Sequence, residues 1–390
     1  MALASDTPAS AIRPKVGLKT RMMRLVARPG FQRWAASFPL TRRVAAKDGA
    51  ALFDIVQGFV KSQALFALVD LRVMHRLMDG SQTAHDLAGV CVLPVDRMDR
   101  LLRAGVAMQL LRRDRKGRYS LARKGAALVG VPGLEDMIRH HATFYRDLND
   151  PVALLRGEVN TELAQFWPYV FGADNATDAD TSTRYSDLMA RSQQIVAADT
   201  LATVKLGQTR LLLDVGGGYG VFAEAAALLY PRLSATVFDL PAVAANATSR
   251  LAASQAKDRL QFVSGSFRDD PLPAGADTIS LIRVLYDHED ATVTDLLSKV
   301  YDTLPDGGTL VVSEPMSGGD QPEIAGDVYF SFYCLAMQTG TVRSAKEIGA
   351  LCQDAGFSRI KSYPSRRPFV TTVLTATKVE KHTSMQEFEV

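Results

Sequence analysis

Four glycines crowd into five residues at the end of an apolar run, Leu211-Leu212-Leu213-Asp214-Val215-Gly216-Gly217-Gly218-Tyr219-Gly220. Nothing else in the chain constrains its fold as strongly. A short aliphatic run, a glycine turn and the helical pattern Val221 to Leu229 together predict a strand, a tight turn and a helix. Glycine removes the Cβ where backbone and ligand must approach closely and supplies the dihedral angles of the turn. The dinucleotide pattern GxGxxG fails, because counting from Gly216 its last position is Val221; what stands is DxGxGxG. An acid at the strand tip, Asp214, suits a ligand carrying an ammonium and a sulfonium better than a pyrophosphate dianion, so the motif points away from nicotinamide dinucleotides.

The alternation continues. Leu211 to Val215, Ala235 to Phe238, Leu260 to Val263, Thr278 to Ile282 and Thr309 to Ser313 read as strands, and Val221 to Leu229, Ala242 to Ala253, Val293 to Leu304 and Ala345 to Ala355 as helices. That is a doubly wound α/β domain, whose ligands bind beyond the carboxyl ends of the strands. The pieces Ile360 to Tyr363 and Val370 to Ala376 have no helix between them, which predicts an antiparallel pair at the sheet edge. Asp239, in Phe238-Asp239-Leu240-Pro241, closes the second strand, where a carboxylate can accept hydrogen bonds from both hydroxyls of a ribose.

At 390 residues the chain exceeds one ordinary core, so a second unit is expected ahead of this one. Residues 1–45 form a basic arm with Arg21, Arg24, Arg28, Arg33, Arg42 and Arg43 among Met22, Met23, Leu25, Phe31, Trp34 and Phe38. Such a segment can lie on an anionic membrane or pack on a partner subunit. Apolar residues recur helically from Leu52 to Leu77, predicting a buried helix broken or bent once. Ala84 to Ala88, Val95 to Ala107 and a hairpin around Arg112 to Arg118 follow, the order of a winged helix-turn-helix. Its basic wing and Arg97, Arg100 and Arg103 admit DNA binding, but the apolar face of Met98, Leu101, Leu102 and Val106 favours dimerisation, and nucleic acid is not the expected partner. Connecting helices across 131–200 carry Phe144, Tyr145, Phe166, Trp167, Tyr169 and Phe171, which can wall an apolar pocket or simply pack.

Composition excludes several classes. Apolar residues at 47% and charged residues at 22% are an ordinary globular mix, and a net charge of +3 decides nothing about nucleic acid. Cys91, Cys334 and Cys352 lack zinc-site spacing, so no metal is expected. The sequence shows neither a secretory leader nor an apolar run of about 18 residues, which predicts a protein that is cytoplasmic or peripheral on a photosynthetic or inner membrane.

At LLDVGGGYG, FDLP, Arg283-Val284-Leu285-Tyr286-Asp287-His288, Leu304-Pro305-Asp306-Gly307-Gly308 and Ala355-Gly356-Phe357 the chain resembles the small-molecule O-methyltransferases of the plant-caffeate and hydroxyindole type. The resemblance runs from about Leu52 to Thr377. It implies a class I, Rossmann-like methyltransferase domain over 201–380, a winged-helix dimerisation domain over 46–130, a tail over 381–390 and a homodimer. It also implies S-adenosylmethionine as cofactor and S-adenosylhomocysteine as product, with Asp214, Gly216, Gly218, Gly220, Asp239, Leu240, Ser266, Phe267 and Arg283 around it and Phe267 against the adenine. Two positions depart from the family. Ser266 stands where an Asp is usual, a role Asp269 or Asp270 can take, and Tyr286-Asp287-His288 replaces the catalytic His-Asp-Trp.

With that variant and the text RPGFQRWAASFPLTRRVA, the chain is similar to the 1-hydroxycarotenoid O-methyltransferases of phototrophic bacteria. That resemblance implies methylation of the tertiary hydroxyl of an acyclic carotenoid, in a pocket to which Phe144, Tyr145, Trp167, Phe332 and Met337 contribute. His288 is then expected to take the proton, with Tyr286 orienting the hydroxyl and Asp287 between them. A bacteriochlorophyll precursor as acceptor, or a regulator that only senses the cofactor, remains open from sequence.

Overall fold

In the computed structural model of the chain the described residues are 17–165 and 179–379. Trp167 and its aromatic neighbours Phe166, Tyr169 and Phe171 lie outside them, as does the proline at 168.

The arm is helical: α1 (Leu18–Val26), α2 (Pro29–Ser37) and α3 (Arg42–Val56). Pro29 occupies the first turn of α2, where its missing N–H costs nothing, so it marks a helix boundary. α3 is followed by α4 (Gly58–Asp70) across a 52° bend at Gln57. The break agrees with the sequence; the burial does not. Leu52, Phe53, Ile55, Val56, Phe59 and Val60 are all exposed, and within α4 only Leu68 and Val69 are fully enclosed. Apolar periodicity reports a face that needs a partner, and among the described residues nothing covers this one.

Past the short α5 (Val73–Arg76) come α6 (Ala84–Cys91), α7 (Val95–Ala107) and the antiparallel hairpin of β1 (Leu111–Arg113) and β2 (Tyr119–Leu121). This is the winged-helix order. A Thr83–Asp86 capping box starts α6, worth about 1 kcal/mol. α7 buries Met98 and Leu102, and a Cβ at Gly105 would stand 2.8 Å from Leu111 Cδ1, so glycine lets the hairpin close on the helix. α8 (Arg123–Val129), α9 (Leu134–Asp147), α10 (Pro151–Leu155), α11 (Glu162–Gln165) and the long α12 (Ala179–Thr203) lead to the sheet.

The sheet contains β3 (Leu211–Val215), β4 (Ser234–Asp239), β5 (Leu260–Ser264), β6 (Thr278–Ile282), β7 (Thr309–Glu314), β8 (Ser358–Pro364) and β9 (Thr372–Thr377), in spatial order 5-4-3-6-7-9-8. All neighbouring pairs are parallel except those of β9, which runs antiparallel to β7 and β8, the edge departure expected from the sequence. α13 (Val221–Leu229), α14 (Ala244–Ala252), α15 (Asp290–Thr303), α16 (Ser331–Met337) and α17 (Ala345–Asp354) complete the chain. α16 continues a π-helical segment, Ile324–Phe330, that sequence did not reveal. Both sheet faces are buried, one under α15 and α17, the other under α12 and α13, which explains why the central strands are almost wholly aliphatic. The order reverses between β3 and β6, which opens the ligand crevice beside the glycine turn.

Candidate active site

The crevice is a cavity walled by the turn Gly216 to Tyr219, by Asp239 and Leu240, by Gly265 to Arg268, by Ile282 to Val284 and Tyr286 to His288, and by Met189, Ala190 and Gln193 of α12. Gly216, Gly218 and Gly220 have φ of 66°, 56° and 76°, left-handed values that L side chains rarely adopt. Open space lies beyond Gly218, whereas a Cβ on Gly217 would meet Asp214 Oδ2 at 2.6 Å. Asp239 is fixed by two backbone donors: Gly218 N–H to Oδ2 at 2.6 Å and Leu240 N–H to Oδ1 at 2.7 Å. Each oxygen keeps a second lone pair. Burial raises the Asp239 carboxyl pKa against the pull of those two bonds.

Two residues expected at the ligand stand elsewhere. Asp214 is fully buried and accepts from Ser280 Oγ at 2.6 Å; it lies behind the turn rather than on the cavity wall. Burial pushes its pKa up to about 7. The strand register explains this, since Asp214 pairs within the sheet interior while the chain turns outward only after Val215. Gly220, which also does not line the cavity, starts α13 in the left-handed conformation and packs on Leu251 and Val237.

At the opposite wall, Ser266 N–H donates to Asp270 at 2.8 Å and Ser266 Oγ to Asp269 at 2.9 Å. Both acids are spent on the loop and neither faces the cavity. Phe267 meets the His288 ring edge to face, centroids 5.2 Å apart. His288 Nδ1 lies 3.1 Å from an Arg268 guanidinium nitrogen. An arginine only donates, so Nδ1 accepts and the neutral ring carries its hydrogen on Nε2. Burial, with Arg268 and Arg343 nearby, drives the imidazole pKa down to about 3. His288 therefore reaches the cavity wall with Nδ1 engaged by Arg268, an arrangement that disfavours the proton-accepting role expected from sequence.

The loop between these walls hangs on a residue the sequence reading missed as functional. Glu314, at the end of β7, accepts from the N–H groups of Val284 at 3.0 Å, Leu285 at 2.5 Å and Tyr286 at 2.8 Å. Burial raises its pKa to about 7 in spite of those bonds. Arg343 secures the same loop through the carbonyls of Leu285 at 2.9 Å and His288 at 3.0 Å. Arg283 enters it at φ 60°, a strained value for a side-chain-bearing residue, and reaches Ser192 Oγ at 2.9 Å and Tyr286 Oη at 3.4 Å. Tyr286 is fully enclosed, and burial holds its phenol above the usual range. Burial likewise raises the Asp287 carboxyl well above its ordinary value, and Oδ1 has no hydrogen-bond partner among the described residues.

Beyond Tyr286 lies an aromatic wall. Phe144, Phe332 and Met337, expected as acceptor-pocket residues, join one cluster with Tyr329, Tyr333, Leu154 and Leu163, and Tyr145 packs edge-on against His141. Phe330 ties this wall to Tyr286, ring centroids 6.3 Å apart. Within it His140 Nε2 pairs with Tyr333 Oη at 2.9 Å and His141 Nε2 with Tyr329 Oη at 2.6 Å. Burial depresses both imidazoles to about 4, so each pair joins a neutral ring to a phenol. This quartet was not anticipated; its only sequence trace is a histidine doublet inside an amphipathic helix.

The O-methyltransferase domain family matches residues 145–358, and the O-methyltransferase dimerisation domain family matches residues 53–130. The chain belongs to the O-methyltransferase family. Demethylspheroidene O-methyltransferase of Cereibacter sphaeroides is 50% identical over 373 residues, covering 95% of this chain and 98% of that protein. The enzyme of the same name from Rhodobacter capsulatus is 49% identical over 87% of this chain and 84% of its own length. Among solved structures, human N-acetylserotonin methyltransferase in complex with SAM superposes with a TM-score of 0.74 at 25% identity, covering 85% of this chain and 98% of that one. As an S-adenosylmethionine-dependent O-methyltransferase by family and fold, the protein offers a crevice whose chemistry suits that nucleoside. An anchored carboxylate at Asp239 faces it, the backbone lacks Cβ atoms at Gly216 and Gly218, and an aromatic edge lies at Phe267. The turn donates to Asp239 rather than leaving a row of free N–H groups for a pyrophosphate.

Proposed function

We propose that this O-methyltransferase methylates the tertiary 1-hydroxyl of an acyclic carotenoid of the demethylspheroidene or 1-hydroxyneurosporene type. The observation that carries this reading is the 50% identity, along nearly the full length of both chains, to a demethylspheroidene O-methyltransferase. S-adenosylmethionine supplies an electrophilic methyl group when bound. Asp239 would hold the ribose hydroxyls, Leu240, Ser266 and Phe267 the adenine end, and Gly216 and Gly218 the close backbone approach; Asp214 and Gly220 support the turn from behind. Arg283 and Tyr286 would orient the acceptor hydroxyl, with Phe144, Tyr145, Phe332 and Met337 along the apolar chain and Trp167 as a further candidate.

The hydroxyl oxygen forms the new C–O bond as the C–S bond breaks, giving a methyl ether and S-adenosylhomocysteine. A tertiary alcohol is a far weaker acid than a phenol, while the protonated ether that forms is a strong acid. The proton therefore passes to water with or after methyl transfer, and alignment carries the rate. His288, whose Nδ1 is engaged by Arg268, and the buried Asp287 line the wall, consistent with a site that needs no strong base. Two copies would associate through residues 46–130, the segment that contains the matched dimerisation domain. Incubation with methyl-labelled S-adenosylmethionine and a 1-hydroxylated acyclic carotenoid in detergent tests the assignment. Label in a carotenoid methyl ether is the expected result; label in a bacteriochlorophyll precursor instead would overturn the acceptor and leave the reaction class standing.

A further inference from the structure

The arm is the part of the molecule that the methyltransferase reading leaves unused. Between Gly17 and Lys47 it carries eight cations, Lys19, Arg21, Arg24, Arg28, Arg33, Arg42, Arg43 and Lys47, and not one carboxylate. The same stretch exposes large apolar side chains: Leu18 and Leu40 each at 81%, Met23 at 58%, Met22 at 55% and Trp34 at 48%. Most of the apolar side chains of α1 share a face, with Met23 on the same side as Arg24. At about 100° per residue, Leu18, Met22, Leu25 and Val26 share one side of α1 while Arg24 points away from it, with Lys19 and Arg21 at the flanks. On α2, Phe31 tilts against Trp34 with centroids 5.5 Å apart on the side away from Arg33, and Trp34 stacks on Phe38 just past the helix end at 4.9 Å.

We propose that helices α1 and α2 form a docking surface for an anionic lipid bilayer. Apolar side chains that are flanked by arginines and left in water by their own chain suit a bilayer interface. There the apolar side enters the acyl boundary and the guanidinium groups reach phosphates on flexible stems. Exposed tryptophan at the edge of such a face is the interfacial anchor. A second copy of this chain fits the surface less well, because it would bring an equally basic arm and bury cations without counter-charges. The dimerisation match begins only at residue 53, so α1 and α2 lie ahead of it, whereas the exposed Phe53, Val56, Phe59 and Val60 fall within it. Helices α1 and α2 are 9 residues each, too short to cross a bilayer, so the surface they form lies on it. This inference does not depend on the acceptor assignment.

Flotation of the full chain with phosphatidylcholine vesicles, with and without phosphatidylglycerol, provides the test. The wild type floats with the anionic vesicles, floats less in about 1 M salt where charges are screened beyond a few ångströms, and shows a blue-shifted tryptophan emission that Trp34→Ala abolishes. Joint replacement of Arg21, Arg24, Arg28 and Arg33 by Glu lowers the partition coefficient by on the order of 100-fold, with cofactor affinity and dimer mass unchanged. Replacement by Gln serves should the Glu variant not fold, with a smaller drop expected. Wild type that stays at the bottom with anionic vesicles, a charge-reversed variant that floats as well as wild type, or a variant that turns monomeric would each overturn the proposal.

Discussion

The cofactor half of the site and the aromatic half behind Tyr286 are built by opposite means. The first is backbone: a glycine turn, N–H groups that anchor Asp239, and a loop hung from Glu314 by three amides. Its buried groups are acids, and burial pushes Asp214 and Glu314 up to about 7. The second is side chain: two imidazoles and two phenols from α9 and the α16 region, with burial holding His140 and His141 down to about 4. Desolvation disfavours charge in both, so both halves are assembled from neutralised groups, and they respond to pH in opposite directions.

That opposition gives the largest predicted effect. The imidazoles ordinarily titrate at 6.5, so below that pH the unfolded chain takes up protons that the folded chain refuses until about 4. Their contribution to stability is full above 6.5 and is lost as pH falls towards 4, by roughly 3 kcal/mol per histidine. For the raised acids the sign reverses: the contribution is present below the ordinary carboxylate range and is lost as pH rises through about 7. A His140→Gln and His141→Gln double variant should flatten the acid side of the urea-midpoint profile between pH 6.5 and 4 and leave the slope near 7 untouched. An acid limb as steep as that of wild type would show that the pairs do not titrate as placed.

Next in size is Asp239→Ala. It removes a charged acceptor whose geometry two backbone amides have fixed, and calorimetry should show S-adenosylmethionine binding about 100-fold weaker, with acceptor KM little changed. Tyr329→Phe probes the other half. It strands a buried His141 nitrogen, and is expected to raise acceptor KM about 10-fold with cofactor affinity unchanged. Equal effects on both ligands would erase the division between the halves.

The two halves also differ in how much of them sequence discloses. Asp214 to Gly220 lie on consecutive residues, so a turn, its following helix Val221–Leu229 and the acid at Asp239 can be read from local spacing, and the strands follow from aliphatic runs buried on both faces. His141 and Tyr329 are 188 positions apart, and no period or motif joins them. Asp214 was legible as a residue of the turn but not as one facing inward, because strand register and the direction of the turn decide that. Leu52 to Val60 show the same limit in reverse: periodicity identified an apolar face, and the fold of one chain does not cover it. Glu314 was visible only as a strand end. Its function comes from three amides of a loop 28 to 30 residues earlier in the chain.

The smallest effect is expected at His288, on the border between the halves. A general base normally contributes on the order of 100-fold or more to turnover. His288 has its acceptor nitrogen occupied by Arg268, a hydrogen on the other nitrogen, and a pKa lowered to about 3, so little of that contribution is available to it. Its ring edge instead supports Phe267 at the cofactor wall. His288→Ala should therefore leave turnover at saturating S-adenosylmethionine within about 3-fold of wild type and raise the cofactor KM, because the alanine no longer braces Phe267. A loss of turnover near the base-sized value, together with a new pH dependence of kcat, would return the proton to His288 and move it from the cofactor half to the chemistry of the acceptor.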